Sequence, residues 1–520
     1  SVVLQLVCRS LMCKVAWVIS PPTKGSGGFR TICSKAIYLD QHGFECHFFI
    51  LPGAESYKSA NQVAKEIKDW FGYEPKTINV VASIPDCFDV VIATAWNTAE
   101  YVAMQPTSTK LYFIQDFEPW FYPMGENYLR AEQSYRLGLM PITIGRWLSM
   151  KVSKYYSGPV PYCDFGVDTS LYAHCDCRRD PKSVCAIFQP NKDRRLSSML
   201  LEAIHLACRF DKSLSFKLFG CESRLNIDES RVEQLGVLTI SECAELYTSC
   251  SVGISLSASN PSRLPFEMLA SGLSVVEILG QNTEYDFNYG GMYFAQPSAE
   301  GIASALLHAL DNPTTASIPM CSNSSENQMF LDAMLKYLNG DLIVAKAPTK
   351  NANNVVPIDR ALYRLSREFK IKNYQIEAEA QQPIYSNHVR LVMNFSDAFE
   401  DTTEYRAACW LKSNQSDLEW HSFSVIDDCL TADIDIPEID CESLLRIHLY
   451  AFSSMSDKPI FIGEITQLLS MQPCTETNLY IRKISFGNYK FQIEFNNSRS
   501  YGNDPGTFSA ISSLKRFFKH

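Results

Sequence analysis

The stretch Ser259-Asn-Pro-Ser-Arg-Leu-Pro-Phe-Glu267-Met-Leu-Ala-Ser-Gly272-Leu-Ser-Val-Val276 decides the fold. It follows the apolar run Val252–Leu256. Together they read as strand, polar loop, short helix, glycine stop and second buried strand. Ser262 is the expected N-cap, and Gly272 the expected residue just past the helix end. Glu267 falls in the first turn of the helix. A helix start offers unpaired N–H groups to an anion, and a carboxylate beside it accepts hydrogen bonds from sugar hydroxyls. Strand, helix and strand in this order build a parallel α/β sheet.

The same pattern extends upstream. Val184–Phe188 is a strand. Leu196, Met199, Leu200, Ala203, Ile204, Ala207 and Cys208 then keep helical spacing. Phe216–Phe219 and Val237–Ile240 are expected strands, and Ser241 is expected to cap a helix over Ala244–Tyr247. Ile302–Leu310 and Phe330–Leu338 read as helices. An equivalent unit precedes it. Its strands are Val15–Ile19, Cys46–Leu51, Val90–Ala93, Leu111–Ile114 and Ile142–Ile144. Helices are expected at Phe29–Gln41, Gln62–Trp70 and Tyr128–Leu137. The fold class is therefore α/β, with two Rossmann-like domains facing a cleft, residues 1–165 and 166–345. Ligands of such sheets bind beyond the carboxyl ends of the strands. A polar linker, 346–387, follows. Residues 388–520 form an all-β, sandwich-like domain, with strand signals at Val389–Phe395, Tyr405–Leu411, Leu444–Phe452, Ile460–Ile462, Leu479–Ile484 and Tyr489–Phe495.

The chain has 520 residues, 47 basic and 57 acidic, for a net charge of −10. An acidic chain without basic runs argues against nucleic acid as a partner. Its 18 cysteines form no disulfide framework and fit reduced, buried residues of a cytoplasmic protein. Ser1–Cys13 is apolar but too short to span a bilayer and lacks a cleavage site, so no integral membrane segment is expected. The chain does not begin with Met, which leaves room for an upstream segment.

Three loops carry chemistry. Lys24-Gly-Ser-Gly27-Gly28-Phe-Arg30 follows the first strand, where glycines let backbone N–H groups approach a phosphate or sugar. The plain alternative is a flexible connection. Gln189-Pro-Asn-Lys192-Asp-Arg194-Arg195 opens the second unit. Cations at a helix start oppose its dipole, and a bound anion removes the conflict. The alternative is a solvated basic turn. Gln115-Asp116-Phe-Glu118-Pro-Trp120-Phe121 places two carboxylates among aromatics, which suits a sugar's hydroxyls and C–H faces. Asp433-Ile-Asp435 alternates like the outer face of a strand. His174-Cys175-Asp-Cys177 does not match zinc spacing. No metal site is expected.

Gly25-Ser-Gly-Gly-Phe-Arg-Thr-Ile32, Phe113-Ile-Gln-Asp-Phe-Glu-Pro-Trp120 and Asp164-Phe-Gly-Val-Asp168, with the opening stretch, resemble bacterial rhamnosyltransferases of S-layer and O-antigen-type glycans. Residues 12–340 resemble retaining glycosyltransferases of family four on the GT-B fold. The resemblance implies a metal-independent, retaining transferase that moves a sugar, such as rhamnose from dTDP-rhamnose, onto a surface-polysaccharide acceptor. It implies a nucleotide-sugar site of Gln189, Lys192, Arg194, Arg195, Ser259, Arg263, Leu264 and Glu267, with Glu267 on the ribose and Arg194 on the diphosphate. It implies acceptor binding by Gly27, Gly28, Asp116, Glu118 and Trp120. Arg194 would stabilise the leaving group, and Asp116 is the first candidate for a base. The first glutamate of the family pattern is Ser259 here, and its upstream basic residue is Gln189. A nucleotide-sugar epimerase and a non-catalytic glycan-binding or scaffold protein stand as alternatives. No cofactor beyond the donor substrate is implied. The partners are the nucleotide sugar and a glycan or lipid-linked glycan. The β-domain is left to bind glycan, a glycan-assembly protein or the inner face of the plasma membrane.

Overall fold

The computed structural model describes residues 13–51, 59–80, 84–106, 109–174, 179–222, 230–287, 289–313, 320–347, 362, 365, 366, 368, 386–394, 402–412, 415–426, 429–437, 439, 443–453, 459–469, 479–486 and 489–496. The expected linker at Asn351–Val356 and the cysteines of His174-Cys175-Asp-Cys177 lie outside them. By its contacts the chain divides into two units, residues 1–51 with 61–371, and 52–60 with 372–520.

The first unit contains two parallel sheets. The strands in chain order are β1 Cys13–Ile19, β2 Phe44–Ile50, β3 Ile78–Val80, β4 Val90–Ala93, β5 Thr109–Ile114, β6 Met140–Ile144, β7 Tyr156–Ser157, β8 Tyr162–Cys163, β9 Ser183–Ile187, β10 Ser215–Phe219, β11 Val232–Gly236, β12 Val252–Ile254, β13 Ser274–Ile278, β14 Met292–Ala295 and β15 Ala345–Lys346. The first sheet has the order β3-β2-β1-β4-β5-β6-β8, and the second β11-β10-β9-β12-β13-β14. Val15–Ile19 and Val90–Ala93 are wholly buried, as strands covered by helices on both faces must be. The helices are α1 Gly27–Gln41, α2 Ala60–Phe71, α3 Trp96–Ala103, α4 Glu126–Ser134, α5 Arg146–Ser153, α6 Ser197–Phe210, α7 Ile240–Ser249, α8 Leu264–Ala270, α9 Gln281–Glu284, α10 Ala299–Asp311 and α11 Asn323–Leu338. This is the GT-B architecture.

In each sheet the order reverses beside the first strand, so the loops after β1 and β9 sit at the switch points of the two sheets. Helix α11 follows the second domain yet packs on α1, β6 and β8 of the first. Lys35 of α1 donates to Glu326 and, at 2.8 Å, to the side-chain Oδ1 of Asn327 in α11. Arg263 reaches the same Glu326 Oε1 at 2.6 Å, and the Gly166 N–H reaches Oε2 at 2.8 Å. Burial works to raise the Glu326 carboxyl, but Arg263 and Lys35 outweigh it and hold it down at about 2. Gly166 is required by approach: a Cβ there would lie 2.7 Å from Glu326 Oε2.

Three local expectations are corrected. No strand forms over Val237–Ile240; β11 ends at Gly236. Thr239, not Ser241, caps α7, because Thr239-x-x-Glu242 closes a reciprocal capping box at 3.3 and 2.7 Å. Ser262 does not cap α8. Arg263 holds the N-cap position, and the Ser262 hydroxyl has no partner among the described residues. Pro265 at the second helical position removes one of the N–H groups a cap would bind. At the other end Gly272 behaves as expected, at φ +87°. Its N–H reaches Leu269 O, and that of Leu273 reaches Met268 O, completing a Schellman motif.

The second unit is two antiparallel sheets. Its strands are β16 His388–Asn394, β17 Thr402–Trp410, β18 Glu419–Ser422, β19 Ser424–Ile426, β20 Cys429–Asp435, β21 Ser443–Ser453, β22 Ile460–Leu469, β23 Leu479–Phe486 and β24 Tyr489–Asn496. The orders are β19-β20-β16-β24-β23 and β18-β17-β21-β22, around one apolar core. Asp433 and Asp435 are exposed on β20, bound by Arg390 at 2.7 Å and His388 at 3.0 Å. Among the described residues no group of three His, Cys, Asp or Glu is placed to hold a metal ion. Among them, too, no helix is long and apolar enough to cross a membrane.

Candidate active site

A cleft of about 790 Å³ lies between the two Rossmann-like domains. Of the residues singled out by sequence, Gly27, Gly28, Asp116, Glu118, Gln189, Lys192, Arg194, Arg195, Arg263, Leu264 and Glu267 line it. Ser259 and Trp120 are not in its wall. Ser259 is fully buried behind it. Trp120 sits in the 3-10 turn Glu118–Phe121, which puts its ring 5.4 Å from Trp147 and under Lys151, while Phe121 lines the cleft.

On the first domain, Ser26 caps α1 through the Phe29 N–H at 3.3 Å. Gly27 and Gly28 form the first turn of that helix, so its free N–H groups open on the cleft. Asp116 leaves β5 and accepts from the Phe117 N–H at 2.8 Å, the Asn260 N–H at 2.9 Å and Ser259 Oγ at 2.9 Å. Arg194 Nε stands 3.9 Å away. Burial raises the Asp116 carboxyl, with Arg194 opposing. Glu118 has a different setting. Its carboxylate accepts from the Trp96 N–H at the start of α3 (2.9 Å) and from Tyr112 Oη (3.3 Å). Burial pushes its carboxyl up to about 8. Both carboxylates are thus engaged by protein donors, and Glu118 staples the aromatic loop to α3.

On the second domain, Lys192, Arg194 and Arg195 come from one 3-10 turn at the carboxyl end of β9. The turn joins α6 through Leu196 at φ +51°. A left-handed leucine costs about 1–2 kcal/mol, and such strain concentrates at functional sites. Arg194 stacks 4.4 Å from the Phe121 ring. Arg195 is buried and reaches Leu256 O at 3.4 Å, and among the described residues its Nε has no partner. Burial first, then Arg194, lowers it to about 10. Among the described residues, Lys192 Nζ touches a neutral acceptor, Gln189 Oε1 at 3.3 Å. Burial and the two arginines bring its ammonium down to about 8. The three cations crowd one another, with Asp116 the carboxylate that faces Arg194.

Glu267 and Arg263 are both engaged by protein partners. Arg30 of α1 donates to Glu267 Oε1 at 2.5 Å, and this pairing raises the Arg30 guanidinium. Arg263 donates to Gly166 O at 2.6 Å, Thr31 Oγ1 at 3.0 Å and Glu326, so its guanidinium joins the domains rather than standing free for a phosphate.

Several residues were missed by sequence reasoning. Asn260 Nδ2 donates to Gln115 O at 3.0 Å and Ile144 O at 3.1 Å, at the carboxyl ends of two strands of the opposite domain. Asp286 caps α5 across the domains, accepting from Arg146 N at 2.6 Å and Trp147 N at 3.2 Å. Glu277 is fully buried, accepts from Ser257 N and Ile278 N, and burial lifts its carboxyl to about 8. Only a carboxylate inside an apolar strand, Ser274–Ile278, could have flagged Glu277.

Residues 54–145 match the WsaF N-terminal domain and residues 182–307 the WsaF C-terminal domain, together less than half of the chain. The chain is 29% identical over 239 residues to the O-antigen biosynthesis protein RfbC of Myxococcus xanthus, a match over 45% of this chain and 19% of that protein. The chain thus spans about a fifth of its curated relative. Among solved structures, MnaA of S. aureus with UDP aligns with 63% of this chain and 97% of its own (TM-score 0.45, 11% identity). A glycosyltransferase from Rickettsia africae aligns with 70% of this chain and 98% of its own (TM-score 0.40, 13% identity). UDP-GlcNAc 2-epimerase of Neisseria meningitidis with UDP-GlcNAc aligns with 62% of this chain and 100% of its own (TM-score 0.41, 9% identity).

Proposed function

We propose that this chain, a glycosyltransferase by its paired WsaF domains and GT-B architecture, moves a sugar from a nucleoside-diphosphate donor onto a hydroxyl of a surface-polysaccharide acceptor. One observation carries the reading. Lys192, Arg194 and Arg195 converge in the cleft and crowd one another, at the switch point where a parallel sheet binds its ligand. A diphosphate relieves that crowding, and its charge grows as the glycosidic bond breaks. Cations already in place then stabilise the transition state more than the ground state. The donor sugar is a 6-deoxyhexose such as rhamnose, carried on dTDP, and its configuration is retained. Support for the polysaccharide comes from the likeness to an O-antigen biosynthesis protein.

Glu267 becomes available to the ribose hydroxyls when Arg30 turns away. Asp116 and Asn260 hold the closed cleft, which excludes water and limits hydrolysis of the donor. The acceptor enters from the side of Gly27, Gly28 and Asp116, and no metal takes part. The test is incubation with a panel of nucleotide sugars, with and without a glycan acceptor, following nucleoside diphosphate release. Transfer requires acceptor and releases diphosphate. Conversion of the sugar without release identifies an epimerase, and neither outcome identifies a scaffold. Arg194→Ala should lower kcat/KM by roughly 10²-fold. Unchanged transfer in both Arg194→Ala and Glu267→Ala removes the site assignment.

A further inference from the structure

The second unit carries a cluster of rings that the transfer reaction does not use. In the sheet β18-β17-β21-β22, Tyr405, Ala407, Cys409, Ile447 and Leu449 turn into the core. The alternate residues face the other way. On that outer face Trp420 lies 5.3 Å from Tyr450, and Tyr450 lies 5.5 Å from Phe461. His448 joins them, 4.6 Å from Trp410 and 5.1 Å from Phe461. Ala408 stands in register between Trp420 and His448. It is only 2% exposed although it faces outward, because the rings close over it. Trp420 and Phe461 remain 50% and 52% exposed. The row Trp420, Tyr450 and Phe461 is therefore an aromatic platform resting on a rigid sheet.

Charge selects the occupant. Among the described residues, two arginines of this face, Arg406 and Arg446, are balanced by two glutamates, Glu404 and Glu464. Arg406 binds Glu404 at 2.6 Å, Ser422 Oγ donates to Glu404 at 2.9 Å, and His448 lies 3.6 Å from Glu464. With no excess of positive charge among its described residues, the face offers little attraction to an anionic lipid surface or a nucleic acid. It pairs ring faces, which stack on C–H surfaces, with flanking carboxylates and hydroxyls, which bind hydroxyls. A neutral polyhydroxylated ligand is complementary to both halves of that composition. We propose that this face binds a neutral saccharide chain, namely the glycan that the same polypeptide extends; the choice of glycan rests on the transferase reading above. Holding the acceptor on the same chain raises its local concentration and favours long acceptors over short ones.

The experiment is electrophoresis of the full chain through gels containing rhamnan, mannan or dextran, with flotation on phosphatidylglycerol vesicles as a parallel arm. At least one neutral polysaccharide should retard the protein. Trp420→Ala combined with Phe461→Ala should weaken that retention by about tenfold. Trp420→Phe with Phe461→Tyr should keep it. Transfer to a monosaccharide glycoside and the thermal unfolding midpoint should be unchanged in all variants, because both rings stand outside the core and the cleft. Three results overturn the proposal: no retardation by any of the three, retardation that survives the double alanine substitution, or vesicle binding that depends on the same rings. Loss of transfer activity with glycan retention intact strikes the transferase reading instead.

Discussion

Replacing Glu326 by glutamine should destabilise the first unit by roughly 3 kcal/mol at pH 7, and the deficit should shrink on acidification. Glu326 is fully buried and receives Lys35, itself fully buried, together with Arg263 and the Gly166 N–H. Glutamine keeps the size and one acceptor but leaves two buried cations without their anion. Breaking such a pair costs about 3–5 kcal/mol. The titration of the carboxyl sets a similar scale. A fall from the ordinary value of 4.5 to about 2 amounts to roughly 3 kcal/mol of preference for the charged form. Because the folded value lies below the unfolded one, this stability is present above pH 4.5. It is lost as pH falls toward 2. The assay is urea unfolding followed by tryptophan fluorescence between pH 7 and pH 3. Trp17 reports locally, since it stacks 5.8 Å from Phe330 of the same helix α11. A variant that unfolds within about 0.5 kcal/mol of wild type at pH 7, inside the range of neutral surface substitutions, would refute the reasoning. So would a deficit that stays constant as the carboxyl titrates.

The Lys192 ammonium, lowered to about 8, carries its charge below that pH and loses it above. The kcat/KM for the donor should therefore fall as pH rises through about 8, and Lys192→Met should remove that limb of the profile while lowering its plateau. Gly272→Ala should cost roughly 2 kcal/mol or more in urea unfolding, because φ is +87° and a Cβ would meet His174 Cδ2 at 2.6 Å. Asp286→Ala removes the acceptor for the first two N–H groups of α5. It should lower stability by about 1 kcal/mol, read from the thermal midpoint.

Most of the architecture was legible because its signals are local. Buried strands read as apolar runs, α6 reads as helical spacing from Leu196 to Cys208, and Gly272 marks a helix end with φ of +87°. The Thr239-x-x-Glu242 box is equally local, but the apolar Val237 and Leu238 beside it carry a competing strand signal. Strand β3 has three residues and helices α3 and α5 barely two turns each, too short for a periodic signal. The cationic turn was legible as composition, since three basic residues at a helix start conflict with the helix dipole whatever the rest of the chain does.

The partners of those residues were not legible. Arg30 and Glu267 are 237 positions apart, Asp116 and Asn260 are 144 apart, and Lys35 and Glu326 are 291 apart. No periodicity links such pairs, because they meet only when two separately wound sheets face each other. By itself the sequence determined two parallel α/β layers, a third set of antiparallel strands and the loops that reach the cleft. Tertiary structure alone decided which charges are engaged there. It set Arg263 and Glu326 as a joint, Glu118 as a staple, and Lys192 with its two arginines as the cations left crowded in the cleft. A charge takes its role from the dielectric and the partners around it, and both are properties of packing.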